Sequence, residues 1–303
     1  MTNTILMIKP VAFHKNEETT VNNHYQKETK ELANTVQVKA LKEFNALVSK
    51  LKKAGVKVIV VEDTLEPATP DSIFPNNWIS FHKDGVVCVY PMFAENRRAE
   101  RREDILEIIE KEGFKIKDIF DYTAAEEESV FLEGTGSMVL DRQNKMAYCT
   151  LSPRSNENLF IEFCEDLEYT PVVFRANHIV NGKRKPIYHT NVMMSVGDDF
   201  AVICLQTIDD KKQRKQVAEM LQNSGKEIIN ISKEQVDSFA GNILQVSGKD
   251  DKKFIVMSAT AYKSLSKAQI SILEKHGEII KSNVKTIEEN GGGSVRCMLA
   301  EVF

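Results

Sequence analysis

Three residue types that together support nucleophilic catalysis occur far apart in this sequence: a thiol at Cys297, an imidazole at His189 and a carboxylate at Glu133. A thiolate can attack an electron-poor carbon, an imidazole can carry a proton, and a carboxylate can orient the imidazole or a substrate nitrogen. Each residue alone has an ordinary explanation, since an isolated cysteine in a strand is usually a small core residue. Their equivalent positions in a sequence repeat favour the catalytic interpretation.

The repeat consists of five short segments that resemble one another. They are SIFPNNWISF from Ser72, SVFLEGTGSMVL from Ser129, PIYHTNVMMSV from Pro186, SFAGNILQVS from Ser238 and GSVRCMLAEVF from Gly293. Their key positions are Asn77, Glu133, His189, Asn242 and Cys297, which are separated by 56, 56, 53 and 55 residues. Five matches at a nearly constant spacing indicate a repeat architecture. The chemistry-bearing residues therefore belong to corresponding corners of different units.

Each repeat predicts the same order of elements: a strand, a turn, a second strand, a charged amphipathic helix and a short closing strand. The predicted helices span 95–112, 156–167, 209–223 and 264–276. The fifth unit is split, with strands at 297–303 and 4–10, a helix at 30–54 and a strand at 56–62. We therefore expect one α/β domain over residues 1–303. It would be a five-fold pseudosymmetric propeller of ββαβ units with helices outside and the key residues at the axis.

The polar segment 14–31 is the one long insertion in this pattern. A polar segment of this length without a clear element is often functional. We expect it to form a loop over the centre of the ring.

Composition narrows the class of protein. The 303 residues carry a formal net charge of -4, which gives no general attraction for nucleic acid. No window of 18 apolar residues predicts a membrane span, and the first residues lack a secretory leader. The five cysteines are scattered without a CxxC pair, which argues against a disulfide framework or a metal site. We expect a reduced, cytoplasmic protein without a cofactor, and a homodimer is compatible with the sequence.

Three motifs carry a resemblance to a known superfamily. FLEG at 131–134, YHTN at 188–191 and GGGSVRCM at 291–298 resemble the guanidino-group-modifying (amidinotransferase, or pentein) enzymes. The chain looks most similar to citrulline-utilization hydrolases and dimethylarginine dimethylaminohydrolase. The resemblance implies the pentein fold and a cysteine-dependent hydrolase. It further implies that Cys297 is the nucleophile, His189 the general acid/base and Glu133 the carboxylate that assists proton and substrate handling.

The same resemblance suggests substrate-binding residues. DSIF at 71–74 is similar to a segment of the dimethylarginine hydrolases whose aspartate contacts substrate, which implies Asp71. ENRRAE and LSPRSN resemble the segments that hold a pair of arginines for the substrate α-carboxylate, which implies Arg97 and Arg154, with Arg98 as an alternative to Arg97. An arginine fork suits a carboxylate because it can donate two parallel hydrogen bonds.

Asparagines at 76, 77 and 191 bear on the choice of substrate. Guanidine-processing relatives commonly have acidic residues at the positions of Asn76 and Asn77, and many deiminases have an acidic residue at that of Asn191. A carboxamide presents both C=O and NH₂, which match a neutral ureido group. The segment AFHKNEETTVNN at 12–23 also resembles the citrulline-utilization hydrolases. We therefore expect hydrolysis of citrulline to ornithine, ammonia and CO₂ through a covalent cysteine intermediate, with a small amino acid as the partner.

Two alternatives stay open at this point. Asp71 and Glu133 could pair with a cation, so a guanidine-directed hydrolase of dimethylarginine or arginine, or an amidinotransferase, is the first alternative. A non-catalytic ring, like the pentein initiation factor that binds a ribosomal subunit, is the second. It would not require a thiol, an imidazole and a carboxylate together.

Overall fold

The computed structural model describes residues 1–28 and 31–303 as a mixed α/β fold built from small sheets. Within these residues the strands are, in chain order, β1 (Thr4–Lys9), β2 (Lys57–Glu62), β3 (Ile79–Phe81), β4 (Val86–Val89), β5 (Asp118–Asp121), β6 (Met138–Asp141), β7 (Met146–Thr150), β8 (Thr170–Phe174), β9 (Asn177–Val180), β10 (Lys183–Pro186), β11 (Met194–Val196), β12 (Phe200–Ile203), β13 (Glu227–Asn230), β14 (Leu244–Ser247), β15 (Lys253–Ser258), β16 (Glu278–Ser282) and β17 (Ala300–Val302).

Helices connect these strands. In the same described ranges the α-helices are α1 (Glu17–Thr20), α2 (Ala33–Lys53), α3 (Glu95–Arg98), α4 (Glu103–Lys111), α5 (Gly134–Ser137), α6 (Glu157–Asp166), α7 (Thr190–Met193), α8 (Lys211–Asn223), α9 (Lys233–Asp237), α10 (Ala259–Ser264), α11 (Lys267–His276) and α12 (Lys285–Gly291). Short 3₁₀ helices span Pro75–Asn77, Lys83–Gly85, Thr123–Glu128, Leu205–Thr207, Lys249–Asp251 and Val295–Met298.

One three-stranded pattern is repeated along the chain. The sheets β3-β4-β5, β6-β7-β8, β11-β12-β13, β14-β15-β16 and β17-β1-β2 all have this order. In each sheet the first strand is antiparallel to the second, and the second is parallel to the third. The parallel pair requires a crossover, which a helix provides in every unit. The predicted order of elements is therefore present.

The two ends of the sequence form one unit. β17 pairs antiparallel with β1, with Val302 opposite Thr4, and β1 pairs parallel with β2. Helix α2 connects β1 to β2 and buries Phe44, Leu47 and Leu51. The split fifth unit expected from the repeat is thus formed by segments almost 300 residues apart in sequence.

Caps set the starts of the outer helices close to the predicted positions. The Asn156 side chain accepts from the Leu159 N–H before α6, and Asp210 accepts from Gln213 N–H before α8. Ser266 forms a capping box with Gln269 at the start of α11. Side-chain caps of this kind satisfy N–H groups that have no partner within the helix.

The segment predicted as one solvated helix over 95–112 is instead two helices, α3 and α4. The backbone is extended at Arg102, directly before α4 begins, and Arg97 and Glu100 are 2% and 3% exposed. The charged run 95–103 is therefore not a solvated face, because the break lets one arginine and one glutamate turn inward as a pair. Sequence periodicity could not distinguish this from an ordinary charged helix.

Two further features concern parts outside the repeat. The hairpin β9–β10 pairs Asn177 with Pro186 and was not expected from the sequence. The described part of the predicted loop, residues 14–28, contains α1 and contacts Asp71, Arg154 and Gly291; we call it the covering segment. No helix in the described ranges is long and apolar enough to cross a membrane.

Candidate active site

The key residues of the repeat lie on short turns that precede the first strand of each unit. Asn77 ends the 3₁₀ turn before β3, and Cys297 lies in the 3₁₀ turn before β17. Glu133 and His189 directly precede α5 and α7. The turn at Asn77 contacts both α5 and the turn at Cys297, and α5 contacts α7. Residues separated by more than 50 positions in sequence therefore meet in one buried region.

Glu133 and His189 form a buried pair. The His189 Nε2 and Glu133 Oε2 atoms are 2.7 Å apart. Burial would raise the pKa of Glu133, but Arg154 and the hydrogen bond from His189 outweigh burial and hold that pKa well below its ordinary value. Burial lowers the pKa of His189 to about 4, against the opposing effect of Glu133. The imidazole is then neutral near pH 7 with its proton on Nε2, which leaves Nδ1 as a proton acceptor.

Gly136 makes room for this histidine. A Cβ at this position would lie 2.8 Å from both His189 Nδ1 and Cε1, and 2.4 Å from the Asn77 amide nitrogen. These distances are shorter than real Cβ contacts, so a side chain would displace the imidazole. The glycine is in the predicted FLEGTGS segment, but its role could not be inferred from sequence because it depends on a neighbouring unit.

The Cys297 thiol is buried and faces two carboxamides. Asn242 Nδ2 lies 3.2 Å and Asn191 Nδ2 3.4 Å from Sγ, in hydrogen-bond geometry. Asn242 also accepts from the backbone N–H of Arg296 and donates to the carbonyl of Asn191. Asn242 was missing from the predicted binding residues, although the repeat spacing marks its position. Among the described residues no hydrogen bond joins Cys297 to His189.

Arg154 lies between the covering segment and Glu133. Its Nη1 is 3.3 Å from Glu133 Oε2, its Nε donates to Asn22 Oδ1 at 2.7 Å, and its Nη2 donates to the carbonyl of Thr19 at 3.0 Å. The guanidinium also lies 5.0 Å from the ring centre of Tyr188. Two of these three partners are neutral groups of the covering segment.

Arg97 has a different set of partners. Its guanidinium binds both carboxylate oxygens of Glu100, with Nε–Oε1 at 2.8 Å and Nη2–Oε2 at 2.9 Å. Nη1 donates to Asn77 Oδ1 at 2.8 Å, and Nη2 also reaches the carbonyls of Asp71 and Phe74. The alternative Arg98 is half-buried and faces Glu126, away from these residues.

Asp71 lies beneath the covering segment. Its Oδ2 accepts from Asn16 Nδ2 at 2.9 Å and from the Thr19 hydroxyl at 3.2 Å, while its buried Oδ1 has no hydrogen-bond partner within the described chain. Burial raises the pKa of Asp71, partly offset by Arg97. An unpaired buried carboxylate oxygen is costly, so it is suited to accept from a bound ligand.

The predicted asparagines differ in how far they are engaged. Asn76 Nδ2 donates to the Thr135 hydroxyl at 3.3 Å, and Asn77 Nδ2 donates to Asn76 Oδ1 at 3.1 Å. Both carboxamides therefore hold neighbouring turns together, whereas Asn191 points at the thiol.

The glycines before Cys297 serve packing. Cβ atoms at Gly291 and Gly293 would lie 2.7 and 2.9 Å from the Phe74 ring, and Gly292 has a φ of +63°. The Tyr188 hydroxyl donates to the Gly292 carbonyl at 2.8 Å, and the Tyr188 ring lies 4.5 Å from that of His189. The loop that carries the thiol is thereby tied to the unit that carries the imidazole.

A metal centre is not indicated by the arrangement of side chains. Within residues 1–28 and 31–303 no group of three or more His, Cys, Asp or Glu side chains could hold an ion. The site instead contains a thiol, a neutral imidazole held by a carboxylate, and several amide donors. These groups suit nucleophilic attack on a planar carbon.

A family model matches residues 9–303 and describes N,N dimethylarginine dimethylhydrolase of the eukaryotic type. Among curated proteins, no sequence gives a significant match.

Solved structures with the same fold include several enzymes at low sequence identity. ArgZ without ligand, an arginine dihydrolase from the ornithine-ammonia cycle in Cyanobacteria, is 15% identical with a TM-score of 0.73, over 98% of this chain and 40% of that one. Unliganded AgrE is 15% identical with a TM-score of 0.74, over 99% and 39%. An adduct of a dimethylarginine dimethylaminohydrolase variant with S-methyl-L-thiocitrulline is 15% identical with a TM-score of 0.64, over 99% of both chains. This chain thus spans about two fifths of the full-length ArgZ and AgrE chains.

Proposed function

Since the chain belongs to the N,N dimethylarginine dimethylhydrolase family of the pentein superfamily, we propose that it is a cysteine-dependent hydrolase of guanidino- or ureido-type C–N bonds whose substrate is citrulline. The products would be ornithine, ammonia and CO₂. The observations that carry this proposal are the buried Cys297 thiol, which faces the carboxamides of Asn191 and Asn242, and the buried Glu133–His189 pair.

The proposed roles follow from these contacts. Cys297 attacks the ureido carbon, and His189, oriented by Glu133, carries protons. Because the thiol and imidazole are not hydrogen-bonded to each other, the planar group of the substrate would lie between them, and the thiol proton would reach His189 through a bridging water or a substrate nitrogen. The amide N–H groups of Asn191 and Asn242 face the sulfur and are suited to stabilise negative charge that develops beside it.

The reaction proceeds in two halves. Neutral His189 accepts the thiol proton, sulfur bonds to the ureido carbon, and one C–N bond breaks as His189 returns the proton to the departing nitrogen. Water, deprotonated by His189, then attacks the carbon that is bound to sulfur and releases Cys297. The carbamate product loses CO₂, so one water is consumed and one ammonia, one CO₂ and one ornithine are formed.

A neutral ureido group is favoured because two of the three buried carboxylates, those of Glu133 and Glu100, already bind arginines. Glu133 Oε2 binds Arg154 and His189, and its Oε1 accepts from the Phe93 N–H at 3.0 Å. Glu100 is bound by Arg97 through both oxygens. A buried guanidinium without an unpaired anion would cost several kcal/mol, whereas a ureido group carries no charge.

A guanidine substrate is the second candidate, and two observations favour it. The family description names dimethylarginine, and Asp71 keeps one carboxylate oxygen without a partner. In the citrulline proposal this oxygen accepts from the substrate α-ammonium group or from a ureido N–H. In the first case Asp71 and Arg154 would bind the two charged groups on the α-carbon, and in the second they would bind opposite ends of the substrate.

Steady-state turnover of citrulline, dimethylarginine and arginine, with products identified by mass, tests the substrate. We expect citrulline to have a kcat/KM at least roughly 100-fold above either guanidine. The reverse order would replace the ureido proposal with the guanidine one.

Cys297→Ser should abolish turnover, while Cys164→Ser in α6 serves as a matched control that keeps it. An active Cys297→Ser variant would refute cysteine catalysis, whereas an original protein that turns over none of the three substrates would favour the non-catalytic ring.

We infer that the five units surround a pseudo-five-fold axis and form one catalytic domain over residues 1–303. Consecutive contacts support this arrangement: the turn at Asn77 contacts α5, α5 contacts α7, and the turn at Cys297 contacts that at Asn77. Asn242 completes the circuit by hydrogen bonds to Asn191 and to Arg296. The Cys, His and Glu side chains would then face one axis from separate units.

The five free cysteines of the described chain agree with a reducing, cytoplasmic environment.

A further inference from the structure

A cavity outside the candidate active site lies beside the covering segment. Its volume is about 370 Å³. The covering segment, the β9–β10 hairpin, the end of α9, α10 and α12 form its walls. Neither Cys297, His189 nor Glu133 lines it. A cavity of this size accommodates a small organic molecule.

One side of the cavity carries two lysines that contact the same glutamate. The ammonium groups of Lys27 and Lys285 lie 3.5 and 3.9 Å from the same oxygen, Oε1 of Glu289. Two cations thus share one carboxylate. The other glutamate on this side, Glu288, accepts from the hydroxyls of Thr260 and Ser294 and has no contact with either lysine within the described chain. A ligand carboxylate can therefore bind the two lysines, which can move because their side chains are largely exposed.

Another part of the lining carries an anion without a partner. Asp237 ends α9 and is an exposed residue, and within the described chain its carboxylate takes part in no hydrogen bond or ion pair. Burial and the nearby Glu234 raise the pKa of Asp237. A ligand ammonium group at this position would relieve both effects.

Aromatic and apolar groups lie between these charges. The Tyr25 ring stacks on His178 at 5.4 Å with an interplanar angle of 15°, and it contacts Phe239 at 5.6 Å. Ile179 also lines the cavity and is 62% exposed. These surfaces suit a short chain of methylene groups.

From these features we infer that the cavity is a second binding site for a small zwitterionic α-amino acid. The lysines would bind its carboxylate, Asp237 its ammonium group, and the aromatic wall its side chain. The further suggestion that the ligand is the product amino acid, ornithine, rests on the proposed function.

Several contacts connect this site to the candidate active site. The Lys27 N–H donates to the Glu289 carbonyl at 2.7 Å, and Asn23 donates to the Gly291 carbonyl at 3.1 Å. Glu288, which lines the cavity, accepts from the Ser294 hydroxyl at 2.7 Å, three residues before the thiol. Tyr25 lies 6.0 Å from Tyr188, the neighbour of His189. An occupied cavity would therefore hold the covering segment on the loop of the nucleophile.

Calorimetric titration of the whole 303-residue protein with L-ornithine tests the inference without turnover. We expect two bound molecules for the original protein and one for the Asp237→Asn/Lys285→Gln variant. Lys275→Gln on α11 is the matched control and should keep both. Ile179→Trp, which fills the cavity, should also remove one event. n-Butylamine, which lacks the carboxylate, should not occupy the second site.

Equal stoichiometry in the original and the cavity variants would overturn the second site. A single event in the original protein, with the variants altering only its association rate, would identify the cavity as an entrance and also overturn the inference. Because binding is measured directly, two events that respond to the cavity variants would support the second site even if citrulline is not hydrolysed. Protection of residues 14–28 from hydrogen exchange should rise at least roughly fivefold when ornithine occupies the cavity.

Discussion

Arg97 and Arg154 are both buried beside carboxylates, yet their partners differ in kind. Arg97 binds both oxygens of Glu100, three residues further along the chain. Arg154 has one contact to Glu133 at 3.3 Å, and its other acceptors are the Asn22 carboxamide and the Thr19 carbonyl. The first guanidinium is neutralised by a complete fork, and the second is held largely by neutral oxygens.

This difference indicates which arginine is free to bind a substrate. A neutral acceptor is a weaker partner for a guanidinium than a carboxylate, so a substrate carboxylate can replace Asn22 and Thr19 at Arg154. Displacing Glu100 from Arg97 would instead leave a carboxylate buried without its partner. Arg154 is therefore the proposed carboxylate-binding residue, and Arg97 is proposed to position Asn77 and the turn before β3.

Replacing Arg97 should have the largest effect, and that effect should be on folding. Arg97→Met leaves Glu100 buried and unpaired, so we expect the free energy of unfolding to fall by roughly 3–5 kcal/mol. Denaturant titration measures this. The Arg97→Met/Glu100→Leu double variant should recover most of the loss, and Arg98→Met should cost less than about 1 kcal/mol. A stable Arg97→Met protein with a raised KM would reverse the assignment of the two arginines.

Replacing Arg154 should act mainly on substrate binding. We expect Arg154→Met to lower kcat/KM roughly 100-fold, mostly through KM, because the substrate carboxylate loses its charged partner. Arg154→Lys should recover part of this loss, since it keeps the charge but not the fork. Steady-state kinetics with citrulline provides the measurement. An unchanged KM would show that the carboxylate binds elsewhere.

The Arg154 centre should respond to pH because Glu133 also binds His189. The folded pKa of His189 is about 4 against 6.5 for a free histidine, so between these values the unfolded chain binds more protons. The contribution of His189 to the free energy of unfolding is fully present above pH 6.5 and is lost as pH falls towards 4. We expect this residue to account for about 2 kcal/mol of the decrease in the free energy of unfolding between pH 7 and pH 5.

His189→Gln isolates this contribution by denaturant titration at both pH values. Its loss of stability between pH 7 and pH 5 should be smaller than that of the original protein by the same amount. His82→Gln, at a buried histidine that faces Arg142 rather than Glu133, serves as a comparison for a buried histidine without a carboxylate partner. Identical pH slopes for His189→Gln and the original protein would contradict a neutral His189.

Asn22→Asp should make the Arg154 centre resemble that of Arg97. A carboxylate in place of the amide would compete with the substrate for the guanidinium, so we expect KM to rise roughly tenfold with little change in kcat. Val21→Asp is the matched control, because Val21 is exposed and its replacement adds the same charge one residue away from Asn22. Equal effects of the two variants would indicate a general charge effect rather than competition at Arg154.

The pattern of residues was enough to predict most of the fold. The spacing of Asn77, Glu133, His189, Asn242 and Cys297 predicts five units, and alternating and three-to-four apolar periods predict their strands and helices. Local signals of this kind depend on which face of an element is buried, and the spacing of apolar residues within each segment indicates that face. The pairing of the two chain ends followed from the same repeat.

What only the tertiary structure decided is which groups from different units meet. The partners of Arg97 and Arg154, the packing of Gly136 against His189 and the amide of Asn242 at the thiol all join residues from separate segments. The interruption between α3 and α4 has the same origin, because it serves the burial of Arg97 with Glu100. The sequence names the groups that can do chemistry, whereas desolvation and hydrogen bonding between distant segments determine which of them remain available to a substrate.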